Sequence, residues 1–127
     1  MSDVDVVRSI YAAMGERDFD RLFQLVDEAC TIDQDPALPW GGHYVGHDGF
    51  ATFALALTGS IDSQVTTLAM FEAGGEVFQY GRTVGTARES GAAFDVPEVH
   101  RWQVRDGKAV AAYFAIDTAA MRSALGA

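Results

Sequence analysis

Apolar side chains recur at Val7, Ile10, Tyr11 and Met14, the spacing of one helix face, and predict a helix over residues 3–14. Ser2 with Asp5 has the form of a capping box at its start, and Gly15 can end it. Asp18 can cap a second helix with the stripe Phe19, Leu22, Phe23 and Val26. Residues 30–35 alternate and read as a short strand. Residues 36–46, PALPWGGHYVG, hold two prolines and three glycines and read as a loop. A loop of that length in a small domain is a candidate to line a site. Residues 48–58 return to helical spacing through Phe50, Phe53, Ala54 and Leu57.

From Ser63 onward the period changes from 3.6 to 2. Strands are expected over 64–72, 76–89, 92–105 and 108–116, joined by turns at Gly74-Gly75, Ser90-Gly91 and Asp106-Gly107. Pro97 inside the third of these implies a bulge or an edge there. Asp117 can cap a final short helix carrying Met121, Ala124 and Leu125. Helices first and strands afterwards argue an α+β fold, with a curved antiparallel sheet wrapped around the helices. A conical barrel of that kind leaves a natural ligand site in the cone. All of residues 1–127 form one domain in this reading.

The net charge of −9 and a pI near 4.5 repel phosphate backbones and anionic lipid, so neither nucleic acid nor a membrane is an expected partner. The acidic start has no basic and apolar leader pattern, and no apolar run reaches the roughly 20 residues of a membrane span, so a cytoplasmic protein is expected. The single Cys30 reads as a buried structural thiol.

Chemistry concentrates on one strand face. Glu98, His100, Trp102 and Val104 share it, and two titratable groups at i and i+2 on an apolar face perturb one another, with a hydrogen-bonded core histidine and a solvated Glu98 near the strand end as the other reading. Asp33 and Asp35 at the end of the first strand are candidate general bases, with a turn role before Pro36 as the other reading. Trp40, His43 and Tyr44 either stack on a flat ligand as a lid or staple the loop to the barrel rim. His43 and His47 are interrupted by Gly46 and lack a completing carboxylate, so no metal is expected. Asp117 reads as a helix cap before it reads as a base. No Ser-His-Asp order, phosphate loop or cysteine cluster is present, and no helix follows the glycines at 74–85 as a dinucleotide fingerprint requires. Apolar residues on both faces of the later strands point to a homodimer.

Three stretches, GERDFDRLFQL at 15–25, PWGGHYVGHDGFATFA at 39–54 and VHRWQVRDGKAVAAYFAIDTAAMRSAL at 99–125, together resemble the SnoaL-like, ketosteroid isomerase-related proteins. These belong to the nuclear transport factor 2-like superfamily with its cystatin-like fold. The superfamily hosts isomerases, polyketide cyclases, dehydratases, binders and interaction domains. The resemblance puts the family's oxyanion-stabilising acid on Glu98 and, as in SnoaL-like cyclases, a histidine nearby on His100. The family's first-strand base falls on Gln34 in an ungapped register from Asp18, or on Asp35 with one inserted residue. The helix tyrosine position falls on Ile10, one residue from Tyr11.

The resemblance implies a pocket for a hydrophobic small molecule and cofactor-free acid/base isomerisation, cyclisation or dehydration. In that scheme Asp35 or Asp33 abstracts a proton, and Glu98 and His100 stabilise the oxyanion. Trp40, Phe53, Trp102 and Phe114 would form the apolar wall. The other reading is a non-catalytic ligand-binding or dimerisation module of the same fold.

Overall fold

The computed structural model describes residues 1–127. Helices α1 (Asp3–Gly15) and α2 (Phe19–Leu25) lead into strand β1 (Val26–Gln34). A short β2 (Gly42–Val45) and helix α3 (Gly46–Ser60) follow. Strands β3 (Ile61–Ala73), β4 (Glu76–Ala87), β5 (Ala93–Arg105) and β6 (Lys108–Ile116) come next, and α4 (Thr118–Ala124) ends the chain.

The expected caps form. Ser2 and Asp5 close a reciprocal capping box on α1. Asp18 accepts from the Arg21 N–H at the start of α2, and Asp117 accepts from the Ala120 N–H at the start of α4. Buried Val6, Val7, Ile10 and Ala13 form the inner face of α1.

The six strands make one curved sheet in the order β2-β1-β6-β5-β4-β3. Two features depart from the sequence reading. The sheet does not close, because β2 and β3 remain edges, so the cone is open-sided. It is also not wholly antiparallel, because β1 runs parallel to β6. That pairing passes from Val26↔Ala109 to Thr31↔Ala111, so residues 27–30 of β1 bulge out of register.

Three local boundaries differ as well. The apolar run at the end of α2 continues into β1, so Val26 is a strand residue rather than part of a helical stripe. The glycine-rich segment contains β2, whose residues pair antiparallel with 31–34 of β1. Pro97 makes no bulge, since the β4–β5 register is unbroken across it. Its carbonyl accepts from the Asp117 N–H just past the end of β6, so its nitrogen faces a stretch where that ladder has already stopped.

Helices α1, α3 and α4 fill the concave face. Their apolar residues join Val77, Val96, Trp102, Ala112 and Phe114 of the sheet in one core. Gly81 is required there: a Cβ on it would stand 2.1 Å from the Thr66 carbonyl oxygen, so no side chain fits without moving strand β3. Gly81 also pairs with Glu98, leaving room beside that carboxyl.

Candidate active site

Residues that alternate inward on β4 and β5 build the polar end of the concave face. Val77, Gln79 and Thr83 face in from β4, and Glu98, His100 and Trp102 from β5. The burial pattern fixes the orientation of β4, which alternation alone does not. Glu98 is 2% exposed and His100 7%.

These side chains form one connected network with α1. Trp102 Nε1–H donates to the Tyr11 hydroxyl at 3.0 Å, and the Tyr11 hydroxyl and His100 Nδ1 share a hydrogen bond of 2.6 Å. An indole nitrogen only donates, so the Tyr11 oxygen accepts from Trp102, and the Tyr11 bond leaves Nε2 as the His100 nitrogen on the Glu98 side. That nitrogen lies 3.1 Å from Glu98 Oε2 but is not aligned on it, so Oε2 is left without a well-formed hydrogen bond. The Thr83 hydroxyl donates to the other oxygen, Oε1. Gln79 donates to Thr67 at 3.1 Å, while its Oε1 is also unpartnered.

Burial controls the protonation of this group. Desolvation raises the Glu98 pKa, and the Thr83 hydrogen bond together with the neighbouring Gln79 amide offsets part of that rise. Burial lowers the His100 pKa to about 3, so the ring is neutral near pH 7. Burial likewise pushes the Tyr11 phenol well above its ordinary range, keeping it a donor. The same cause moves the buried Cys30 thiol to about 12, which leaves it inert.

Beside the network lies a cavity of about 70 Å³. Its apolar walls include Trp40, Phe53, Leu57, Phe114 and Met121, and its polar lining is Gln34, Ser63, Thr83 and His100. No lysine, arginine or carboxylate lines it. Phe53 and Phe114 pack at 5.6 Å between ring centroids, and His100 and Phe114 at 4.7 Å, which fixes the wall.

The sequence-based candidates divide. His100, Trp40, Phe53 and Phe114 line the cavity. Glu98 lies behind His100 and Thr83, and Trp102 packs on Tyr11 and Phe114, so both support the wall without lining it. Tyr44 is spent on the loop: its hydroxyl donates to the Trp40 carbonyl at 3.0 Å, and its ring meets Phe53. Trp40 is fully buried, so this segment is a packed staple rather than a lid.

Asp35 accepts from the Ala37 N–H at 2.9 Å in a turn and does not line the cavity. Asp33 pairs in register with outward-facing Tyr113, and its carboxylate lies 2.5 Å from His43 Nδ1 on the convex side. The first-strand residue that does reach the cavity is Gln34, 6% exposed, as the ungapped register had it. Strand parity explains the split, because Ile32 and Gln34 point in while Asp33 points out. His47 donates to the Val26 carbonyl at 2.7 Å, well apart from the Asp33–His43 pair, and no group of three metal-type ligands is assembled.

Thr83 is the participant that sequence reasoning passed over, and Tyr11 the one it placed one residue off the family's helix tyrosine. Tyr11 stood on the correct helical stripe, and Thr83 on the same strand face as Gln79. What the chain did not show was which face of β4 turned inward.

A model of the SnoaL-like domain matches residues 7–112. An NTF2-like protein of unknown function from Burkholderia pseudomallei is 25% identical, with a TM-score of 0.90 over 100% of both chains. TerC, co-crystallised with polyporic acid, is 20% identical with a TM-score of 0.88 over 98% of each chain. A hypothetical protein from Catenulispora acidiphila with a ketosteroid isomerase-like fold, in complex with trimethylamine, is 16% identical with a TM-score of 0.80 over 95% of this chain and 92% of that one. No curated protein matches the chain.

Proposed function

The chain belongs to the SnoaL-like domain family, and from that premise we propose that it receives a small hydrophobic molecule in the cavity of its concave face. The observation that carries this reading is the lining itself: apolar walls, four polar side chains among them, and no formal charge near neutral pH. TerC with polyporic acid and the Catenulispora protein with trimethylamine are instances of this fold holding a small organic molecule. The cavity is smaller than the roughly 150 Å³ hole that takes benzene in an engineered core, so even a single six-membered ring enters only as the walls move, and a polycyclic ligand needs a larger shift. Met14 and Met121 are flexible wall residues able to yield.

Val65, 38% exposed and part of the lining, marks where the cavity meets solvent. Val65→Trp is expected to weaken binding of small apolar probes at least tenfold in calorimetric titration, with the melting temperature preserved. Unchanged binding in that variant contradicts the cavity as the site.

The unpartnered Glu98 Oε2 supports a second reading, cofactor-free acid/base turnover. An unpaired buried carboxyl oxygen is costly and concentrates at functional sites. In this reading the ligand reaches His100 through Nε2, the ring nitrogen that faces Glu98 Oε2 without a formed hydrogen bond, and Glu98 positions the ring from behind. Asp35 and Asp33 play no part in it, because neither lines the cavity. Glu98→Gln and His100→Gln then abolish turnover while retaining ligand affinity. Turnover that survives both substitutions leaves binding alone.

The convex sheet face supports a homodimer. Phe71, Tyr80, Val84, Val99 and Tyr113 are 40–49% exposed on it, interleaved with Arg82 and Arg101, an apolar and aromatic surface of the kind found at protein interfaces.

A further inference from the structure

We infer, building on the reading of the cavity as a small-ligand site, that Gln34 anchors an uncharged hydrogen-bond acceptor on the ligand. Trp40 Nε1–H lies 3.0 Å from Gln34 Oε1. An indole nitrogen donates and never accepts, so the Gln34 atom facing it must be the carbonyl oxygen. The amide orientation is therefore dictated by chemistry, and Nε2 with its two hydrogens points away from Trp40. Nε2 has no partner in the protein, while the side chain is 94% buried and lines the cavity.

The donor is also held in place before anything binds. Tyr44 O–H donates to the Trp40 carbonyl at 3.0 Å and to the Gly41 carbonyl at 3.3 Å, and the Gly41 N–H donates to Leu38 O at 2.9 Å. These bonds fix the Trp40 ring, which fixes Gln34 Oε1, which aims Nε2. A pre-aimed donor costs little further ordering on binding.

The other polar groups of the lining are already engaged or are weaker anchors. Both His100 nitrogens face protein groups, and the Thr83 hydroxyl donates to Glu98. Ser63 offers a hydroxyl that can donate or accept. No cation lines the cavity to receive a carboxylate or phosphate, and a desolvated anion without a partner is strongly disfavoured. The ligand class is thus a small neutral molecule with an apolar body and one carbonyl or ether oxygen. A carboxylate at position 34 would act as a base; the amide here binds the oxygen of the ligand and leaves its C–H bonds untouched.

The test uses ¹⁵N-labelled protein titrated with cyclohexanone, with cyclohexane (same shape, no acceptor) and with cyclohexanecarboxylate. Cyclohexanone is expected to bind more tightly than cyclohexane and to shift the Trp40 indole and Gln34 amide signals. Gln34→Glu keeps the acceptor for Trp40 and removes the donor, so cyclohexanone affinity should fall about fivefold or more. Gln34→Leu should do the same while leaving cyclohexane within twofold. The retained Trp102 indole signal verifies folding of each variant. Equal cyclohexanone binding in wild type and both variants overturns the role of Gln34 and leaves the cavity reading intact. Binding of neither neutral probe to the wild type overturns both. Cyclohexanecarboxylate binding as well as the ketone overturns the neutral class.

Discussion

At the residue scale, the protein's chemistry depends on what burial does to three titratable groups. Burial holds the His100 pKa at about 3 in the folded protein, against about 6.5 for a free histidine. Between those values the unfolded chain binds more protons than the folded one, so stability rises with pH across that window. Wild-type protein should lose stability as pH falls from about 6.5 toward 3. Glu98 acts oppositely, because its raised pKa favours the fold at low pH, and that contribution fades as pH climbs through the raised value. Urea unfolding at a series of pH values should therefore show a shallower acid loss in His100→Gln than in wild type. An unchanged slope would show that His100 takes up its proton normally when folded. Tyr11→Phe strands Trp102 Nε1 and His100 Nδ1 together, and should cost at least about 2 kcal/mol in the same measurement. Glu98, His100 and Trp102 were legible as one inward face from alternation alone. The Tyr11 link was not, because it spans residues 89 and 91 apart in sequence, and only the packing of α1 across the sheet creates it.

At the element scale, caps and turns were readable because their causes are local. Ser2, Asp18 and Asp117 cap helices as their positions implied. Asp117→Ala should cost about 1 kcal/mol and leave ligand affinity unchanged, as calorimetry and chemical denaturation can show together. A loss of activity greater than that destabilisation explains would make Asp117 more than a cap. Gly81→Ala tests a non-local requirement. Its Cβ would collide with the Thr66 carbonyl, so a drop of several degrees in melting temperature is expected. The elements that escaped the sequence reading have non-local causes too. Strand β2 is four residues inside a Gly- and Pro-rich segment, and its only reason to be a strand is β1 beside it. The alternation of β1 was visible, but which of Asp33, Gln34 and Asp35 faces inward depended on a register that one residue inverts. The parallel β1–β6 pairing likewise comes from the topology rather than from either strand's composition.

At the scale of the whole molecule, the curved sheet separates two surfaces with different work. On the convex side Phe71 stacks on Phe78 at 5.7 Å, Arg101 sits over Tyr113, and the apolar patch spans β3 to β6. Val99→Glu should convert a dimer to monomer in sedimentation analysis without altering affinity in the cavity, because its side chain points away from it. A monomeric wild type at micromolar concentration would refute the dimer. On the concave side the α+β architecture and one inward face of β5 followed from sequence pattern, whereas the small volume of the cavity followed only from packing. No helix is long and apolar enough to cross a membrane. The central claim concerns that concave cavity, and a crystal soaked in cyclohexanone tests it most directly. The account predicts ligand density between Phe53, Phe114 and His100, with the ketone oxygen within hydrogen-bonding distance of Gln34 Nε2. A cavity closed by inward-turned Met14 and Met121 side chains, with no ligand density, would contradict it.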